Sequence, residues 1–396
     1  MRTAIVLSGH TMALGVVRSL GAMGVPLVLV HYRDQDFAQC SRYVNESLRS
    51  PHPEHSEEAF IDFLLGCRDR FPEAIIFPAS DETLAAVSRN KTALEQYFRV
   101  ACTDWEVTRR FIDKQFTYSL AEEHGVPAPR TLTPHSLEEA RSGAATFGFP
   151  CLVKPCQSHL FYEQFNKKMV RADSLDQLED TYAKAVGLGL EVMLQELIPG
   201  DDDQVVNYNS YVWEGKVLAE FTAVHVRNGP ASFGPPRVVV SRKVPEVIES
   251  GQRMIKALGF SGFSCTEFKR DARDGLFKVL DVNGRHNLST LLAVRCGINF
   301  PWLHYRHLSE GIAPESSDFR EGVYWIDLLR DIGYSAFSLR LEHYSLMDYL
   351  RPYVRPHVFA NFNLRDLRPF LKRIAILTHR KSGQPPAPQF PGDLRP

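Results

Sequence analysis

The alternation of strand and helix patterns at the start of the chain constrains its fold more than any other feature. TAIVLSG predicts a strand, TMALGVVRSLGAMG has apolar residues at helical spacing, and VPLVLVHYR is the continuous apolar run typical of a buried parallel strand. A second cycle of helix, strand and helix follows in SEEAFIDFLLGCRDRF, EAIIFPASD and DETLAAVSRNKTALEQYF. This alternation predicts an α/β domain over residues 1–105, with an open, Rossmann-like parallel sheet.

Polar residues follow two strands of this predicted sheet. His10 comes just after the first strand, and Asp81 and Glu82 come just after EAIIFPAS. Open parallel sheets bind ligands beyond the carboxyl ends of their strands, so these residues are candidates for contacting a substrate. Asp81 has a simpler alternative role as the cap of the following helix. The turn SGHTMALG lacks the GxGxxG spacing, so a dinucleotide site is only weakly indicated.

Composition places the chain among average soluble globular proteins. Its 396 residues are enough for two or three domains, and its formal charge of −1 gives no sign of a nucleic-acid partner. The seven cysteines are scattered without a CxxC pair, which argues against a disulfide framework or zinc site and favours the cytoplasm. The N-terminal apolar stretch is too short for a signal peptide, and no run approaches the roughly 18 apolar residues of a membrane span.

A hairpin in GFSCTEFKRDARDGLFKVLDVNGR carries the most unusual charges of the sequence. Alternation along the second strand predicts that Asp281 shares one face with Asn283, Val279 and Phe277. If the turn sets Glu267 opposite Asp281 or Asn283, two carboxylates converge, and they repel unless a cation lies between them. Oxygen ligands without His or Cys suit Mg²⁺. The alternative is a solvated hairpin with ordinary surface charges.

Other segments favour the ion site over the solvated hairpin. Lys154 ends the apolar strand of LVKP, and Lys114 lies on the earlier helix in FIDKQ. The segment LQELIPGDDD ends a strand with Gln195 and Glu196, followed by apolar residues, a Pro-Gly turn and three carboxylates. An amide or carboxylate, apolar side chains and a further carboxylate together match the needs of a purine nucleoside. Arg285 can then face a phosphate with its planar fork.

The order of these motifs resembles the ATP-grasp superfamily of carboxylate–amine ligases. DK, VKP, QE-x-IPG-DD, TEF and D-x-N-x-R follow one another over about residues 1–310. PASDE, IPGDD and NGR look most like the carboligase branch that includes D-aspartate ligase. The resemblance implies a pre-ATP-grasp domain followed by the ATP-grasp fold over 106–310, divided into subdomains 106–190 and 191–310. A helical extension over 311–381 and a disordered proline-rich tail over 382–396 are expected after it.

The resemblance also implies roles for individual residues. It implies that ATP is bound by Lys114, Lys154, Lys168, Gln195, Glu196, Leu197, Ile198, Asp202 and Asp203. It implies that Glu267, Asp281 and Asn283 bind metal, with two Mg²⁺ ions expected and Mn²⁺ as an alternative. Arg285, Lys154 and Arg242 are the implied catalytic cations. The loop CQSHLFYEQFNKK departs from the family pattern because it lacks the glycines of a phosphate-covering lid, so closure over ATP at 157–168 would depend on side chains.

The implied reaction is the activation of a carboxylate followed by amide formation. ATP would phosphorylate the carboxylate of an amino acid, and an amine would attack the acyl phosphate, releasing ADP and phosphate. Candidate substrate contacts are His10, Asp81, Glu82, Arg242, Lys243, His286 and Asn287. Two alternatives remain: a carboxylase or kinase-like phosphotransferase of the same fold, and a nucleotide-binding protein without ligase activity.

Residues 346–381 form a basic, aromatic segment with eight Lys or Arg against two Asp. Such a segment can lie on an anionic membrane or contact an envelope precursor. The alternative is a helical cap packed on the ATP-binding domain. Small-molecule carboxylate and amine substrates are the expected partners, and a homodimer is a further expectation.

Overall fold

The structure is a computed structural model that describes residues 1–156, 165, 169–229, 234–315, 318–338 and 344–379. The predicted lid at 157–168, including Lys168, lies outside these residues except for Phe165, as does the predicted tail 382–396. In the part of the chain described, no helix is long and apolar enough to cross a membrane.

The first sheet has five parallel strands in the order β3-β2-β1-β4-β5, as the alternating pattern predicts. The strands are β1 (Ala4–Leu7), β2 (Leu27–His31), β3 (Glu46–Arg49), β4 (Ile75–Pro78) and β5 (Arg99–Val100). The accompanying helices are α1 (Thr11–Ala22), α2 (Glu57–Gly66), α3 (Asp81–Arg89) and α4 (Lys91–Leu94). The single helix predicted over DETLAAVSRNKTALEQYF is two helices, because the backbone of Asn90 leaves the helical region between them.

A four-stranded antiparallel sheet follows, in the order β6-β9-β7-β8. Helices α5 (Trp105–Ile112) and α6 (Lys114–Glu123) lead into it. Its strands are β6 (Thr131–Leu132), β7 (Cys151–Pro155), β8 (Val170–Ala172) and β9 (Val192–Glu196), with helices α7 (Leu137–Phe147) and α8 (Leu175–Gly187). Ser136 and Ser174 cap these two helices by accepting hydrogen bonds from backbone N–H groups in the first turn.

The third sheet has seven strands in the order β14-β13-β10-β11-β12-β15-β16. Its strands are β10 (Val205–Trp213), β11 (Lys216–Asn228), β12 (Pro236–Ser241), β13 (Gly262–Arg270), β14 (Phe277–Asn283), β15 (Tyr324–Ile326) and β16 (His357–Phe359). The helices of this region are α9 (Ile248–Leu258), α10 (Thr290–Cys296), α11 (Phe300–Glu310), α12 (Leu328–Ser338), α13 (Leu346–Val354) and α14 (Arg368–His379). All neighbouring strands are antiparallel except β15 and β16.

The C-terminal segment is more than a helical extension. Strands β15 and β16 extend the third sheet, while the loop after β16 contacts the first domain. There the guanidinium of Arg18 on α1 pairs with the carboxylate of Asp366 at 2.8 Å, and both side chains are buried. Asp366 also accepts hydrogen bonds from the Ser41 hydroxyl and the Arg42 backbone N–H. The segment therefore joins the third sheet to the first domain.

Candidate functional site

The hairpin of β13 and β14 has the register that brings its polar residues together. Glu267 lies directly opposite Asp281, and Cys265 lies opposite Asn283. Side chains of directly opposed residues stand on the same face of a sheet. Glu267, Asp281 and Asn283 therefore form one polar surface, here called the acidic wall.

One detail of the predicted alternation is wrong. Val279 lies opposite Phe268 and Phe277 lies opposite Arg270, which puts both on the face away from Asp281. The reason is an irregularity in the ladder next to Glu267, where Leu280 is the extra residue of a β-bulge. The bulge lets Val279 and Phe268 enter the hydrophobic core while the acidic wall faces the other way.

The acidic wall has the donor chemistry of a magnesium site. Its three residues offer carboxylate and amide oxygens, which are the ligands that Mg²⁺ prefers, so the residues present fit the ion. Lys114, at the start of α6, holds its ammonium nitrogen 3.3 Å from a carboxylate oxygen of Asp281. The negative charge of Asp281 raises the pKa of Lys114 although burial opposes this effect. The ammonium group of Lys114 thus lies near the carboxylates of Asp281 and Glu267.

Lys269 follows two residues after Glu267 on the same face, as alternation along CTEFK predicts. Two further polar residues on this face, both on β10, escaped the sequence analysis. Asn207 lies directly opposite Glu267, and Asn209 lies opposite Cys265. Asn209 accepts a hydrogen bond of 2.8 Å from the side chain of Asn287, which the sequence placed near an amine substrate. The signal that could have found them is the strand VVNYNSY, in which two asparagines alternate with apolar residues.

Lys154 and Gln195 meet on one face of the four-stranded sheet. The ammonium group of Lys154 on β7 donates to the side-chain carbonyl of Gln195 on β9. The amide nitrogen of Gln195 in turn donates to the hydroxyl of Thr131 at 2.9 Å. All three residues are at least partly buried. The structure therefore brings together two of the residues that the resemblance assigns to ATP.

Glu196, the other candidate for the adenine amino group, has different surroundings. Its carboxylate accepts hydrogen bonds from the backbone and side chain of Arg130, each at 3.0 Å. It also pairs with Arg273 at 3.2 Å and Lys278 at 3.4 Å. Burial acts to raise the pKa of Glu196. The hydrogen bonds and cations outweigh this effect, so the pKa of Glu196 lies below its ordinary value. Because successive strand residues face opposite sides, Gln195 lies on the face of Lys154 and Glu196 does not.

The connection after β9 contains the remaining nucleotide candidates. Ile198 is buried and Leu197 is partly buried. Asp202 is buried and accepts hydrogen bonds from the backbone and side-chain N–H groups of Asn228, at 2.9 and 3.1 Å. Asp203 is exposed and accepts a hydrogen bond from the neighbouring Gln204. Asp202 therefore fixes the connection to β11, while Asp203 is the carboxylate presented to solvent.

Arg285 joins the acidic wall to the first domain. Two of its nitrogens donate to the two carboxylate oxygens of Asp81, at 2.7 and 2.8 Å. A third contacts the sulfur of Met12 at 3.2 Å. Asp81 is the first residue of α3 and lies at the carboxyl edge of the parallel sheet. Two residues that the sequence singled out 204 positions apart are thus in direct contact.

His10 and Glu82 lie at the same edge as Asp81. Glu82 accepts hydrogen bonds from Arg33 at 2.6 Å and from the hydroxyl of Tyr32 at 2.9 Å. His10 is buried beside these charges, and burial lowers its pKa to about 4. The three predicted residues therefore belong to one polar edge, with Arg33 and Tyr32 as members that the sequence did not indicate.

Arg242 and Lys243 lie apart from this assembly. Both are exposed, and Lys243 pairs with Asp318 at 2.8 Å on the surface. Ser241, the residue before them, lies in register with Glu267 but three strands away. At the usual strand spacing this separation is about 14 Å. The structure therefore does not bring these two cations to the acidic wall.

His286 lies in an aromatic seam between the first domain and the third sheet. Its ring stacks on Phe263, with centroids 4.3 Å apart, and it also contacts Phe77 of β4. Burial lowers the pKa of His286 well below its ordinary value, and the nearby His304 contributes. In this position the ring packs between domains, away from solvent.

Comparisons with known proteins agree with this arrangement. No protein-family model matches the chain. D-aspartate ligase from Enterococcus faecium is 25% identical over 269 residues, which cover 65% of this chain and 61% of the relative, so the match spans about three-fifths of that protein. Among solved structures, L-amino acid ligase from Bacillus licheniformis superposes with a TM-score of 0.61 at 17% identity, covering 78% of this chain and 74% of that one.

A third comparison concerns a nucleotide complex. The biotin carboxylase domain of 2-oxoglutarate carboxylase from Hydrogenobacter thermophilus, solved with MgADP and bicarbonate, matches with a TM-score of 0.61 at 16% identity, covering 82% of this chain and 74% of that one. Together, these comparisons show that the chain shares the fold of these solved structures and is similar in sequence to D-aspartate ligase.

Proposed function

We propose that the protein is an ATP-dependent carboxylate–amine ligase. It phosphorylates the carboxylate of an amino acid to an acyl phosphate and joins it to an amine, forming an amide and releasing ADP and phosphate. The observation that carries this proposal is the contact between Arg285, beside the acidic wall, and Asp81, at the ligand edge of the parallel sheet. Under this proposal, the contact joins the acidic wall, which would bind the phosphates, to a second polar site, and a two-substrate reaction requires both.

The nucleotide half of the site would hold MgATP. Lys114 and Lys154 supply cations for the phosphates, and Gln195 supplies amide groups for the adenine edge. Glu267, Asp281 and Asn283 would hold two Mg²⁺ ions, with Mn²⁺ as a substitute. When bound, the metal neutralises charge on the transferred phosphoryl group. The MgADP complex of the carboxylase neighbour supports this assignment.

The second half of the site would bind the two reacting substrates. Asp81 and Glu82 are carboxylates suited to an ammonium group, and Arg33 and Arg285 are forks suited to a carboxylate. Burial keeps His10 neutral near pH 7, since its pKa is about 4, so it can accept or donate a hydrogen bond without adding charge. An amino-acid substrate carries both an ammonium and a carboxylate group. The relative named D-aspartate ligase supports the same class.

An ADP-release assay over pairs of amino acids tests the proposal. We expect ADP release to depend on an amine as well as a carboxylate, and we expect Asp281→Ala to lower kcat by about 100-fold or more, because a ligand of the phosphate-neutralising ion is lost. Asp274→Ala, on the turn of the same hairpin, is the matched control and should leave kcat unchanged.

The outcomes of this assay separate the alternatives. ADP release with bicarbonate and no amine would indicate a carboxylase. Transfer of the phosphoryl group to a carboxylate, with ADP release and no amine present, would indicate a phosphotransferase. Binding of ATP without ADP formation in any mixture would indicate a nucleotide-binding protein. Equal rates for Asp281→Ala and the wild type would contradict the metal assignment itself.

Contact with the substrate remains a prediction for Arg242, Lys243, His286 and Asn287. The domain boundaries, closure of the lid, a homodimer and a cytoplasmic location also remain predictions. The predicted contact of 346–381 with a membrane is independent of the ligase reaction and depends on the surface of that segment.

A further inference from the structure

Helix α13 exposes an apolar stripe. Leu346, Leu350 and Val354 are four residues apart and Met347 lies beside them, so the four side chains fall within about 100° of the helix circumference. Their exposed fractions are 70%, 41%, 78% and 80%, in that order. Of the 19 large hydrophobic side chains exposed among the described residues, seven lie within 344–379. This concentration of exposed apolar side chains in one short segment indicates a surface that contacts another molecule or a membrane.

The other side of α13 is firmly attached to the protein. The hydroxyl of Tyr353 donates to Asp331 at 2.6 Å, and the backbone carbonyl of Tyr349 accepts from Arg227 at 3.3 Å. Arg227 and Asp331 are themselves completely buried and paired at 2.9 Å. These anchors fix the rotation of the helix about its axis. The packing of α13 against Arg227 and Asp331 therefore holds the apolar stripe toward solvent.

The segment that carries the stripe has an excess of exposed positive charge, with Arg351 on α13 itself and Arg355 directly after it. The exposed cations within 344–379 are Arg351, Arg355, Arg365, Arg368 and Lys372. Asp348 is the exposed acidic residue of the same described segment, because Asp366 is buried against Arg18. The segment thus combines large exposed aliphatic side chains with an excess of exposed positive charge.

This charge decides between occupants of the stripe. A second copy would bring a segment with the same net positive charge to the contact, so the two surfaces would repel each other. The tail 380–396 carries Arg380, Lys381 and Arg395 against Asp393, so it is positive as well. An anionic lipid surface supplies both an apolar boundary and negative charge, which is what an amphipathic helix with basic residues binds. We infer that α13 contacts anionic lipid at the surface of a membrane.

Co-sedimentation of the full chain with lipid vesicles tests this inference. We expect binding to vesicles of phosphatidylcholine with about 25% phosphatidylglycerol, weak binding to pure phosphatidylcholine, and loss of binding in roughly 1 M salt. Met347→Glu with Val354→Glu should lower the partition coefficient by about ten-fold or more. The matched control, Val186→Glu with Leu188→Glu, changes two apolar residues exposed at the end of α8 and should bind like the wild type.

Thermal unfolding and ADP release in solution should be the same for all these proteins, which shows that the variants fold. The inference is overturned if the wild type stays in the supernatant with anionic vesicles, or if the stripe variant sediments like the wild type. A wild-type dimer that the stripe variant loses, without vesicle binding, would make a second copy the occupant. Vesicle binding by Phe390→Glu but not by the wild type would make the tail the occupant.

Discussion

Two arginine–aspartate pairs connect the first domain to later parts of the chain, and they differ in their access to solvent. Arg18 and Asp366 have side chains that are 4% and 1% exposed, and Arg18 also donates to the backbone carbonyls of Ala360, Asn361 and Asp366. Arg285 and Asp81 are 13% and 62% exposed and lie beside His10 and Glu82. The first pair is enclosed by protein groups, whereas the Asp81 carboxylate of the second pair is largely exposed to solvent.

The difference teaches that the chemistry of a pair does not fix its role. A buried pair must be satisfied entirely by protein groups, because any group left without a partner loses its hydration. A pair at a polar edge can exchange one partner for a substrate at a small cost, since water and screening reduce its strength. We therefore regard Arg18–Asp366 as a joint between domains and Arg285–Asp81 as part of the site.

The largest expected effect comes from breaking the buried pair. Asp366→Ala leaves Arg18 charged and buried without its partner, which should lower the free energy of unfolding by about 3–5 kcal/mol. Denaturant unfolding of the full chain measures this change. Asp348→Ala, at an exposed position of the same segment, loses only the hydrogen bond from the capping Ser345 and should change it by about 1 kcal/mol or less. Equal losses for the two variants would mean that burial does not distinguish them.

Breaking the open pair should affect catalysis more than stability. Under the proposed function, Arg285→Ala removes a cation from the phosphate side of the site and should lower kcat by about 100-fold or more, near 3 kcal/mol in activation free energy. Because Asp81 is largely exposed, the free energy of unfolding should fall by less than about 1 kcal/mol. Arg285→Lys keeps the charge without the fork and should recover part of kcat. A large loss of stability with unchanged kcat would reverse the roles of the two pairs.

A smaller effect concerns pH and the seam between domains. His304 packs edge-on against Phe77, and burial lowers its pKa to about 3. Its folded pKa lies below its ordinary value of 6.5, so its stabilising contribution is complete above that value and is lost as pH falls toward 3. Between pH 7 and 5 the free energy of unfolding should fall by about 2 kcal/mol through this residue alone.

His304→Leu should remove that part of the pH dependence, measured by denaturant unfolding at the two pH values. His135→Leu, at an exposed position, is the control and should keep the wild-type difference. If His304→Leu leaves the difference unchanged, the seam does not contribute to it.

Much of the fold followed from local patterns. The parallel sheet was predictable because continuous apolar runs alternate with helical spacing, and the hairpin of the acidic wall was predictable because its strands are long. Strands β3, β5, β15 and β16 were not predicted, since they contain two to four residues and gain their hydrogen bonds from neighbours far along the chain. The bulge at Leu280 was equally invisible, because only the facing strand shows that a residue is extra.

The candidate site was likewise predictable only where local patterns decide it. Sequence order and residue type selected Lys114, Lys154, Glu267, Asp281 and Arg285, each of which the structure places on the polar surfaces described above. Sequence could not distinguish Gln195 from Glu196, because both end one strand. The three cations around Glu196 come from residues 130, 273 and 278, and only folding brings them together.

By itself, the sequence determined the kinds of groups available to this protein: an oxygen-only acidic pair, lysines at strand and helix ends, and polar residues after parallel strands. It determined them because strand and helix periods fix which side chains share a face. Tertiary structure decided which groups face one another across the domains. Arg285 meets Asp81 and Arg18 meets Asp366 because sheet order and helix packing, which depend on long-range contacts, set the distances between residues hundreds of positions apart.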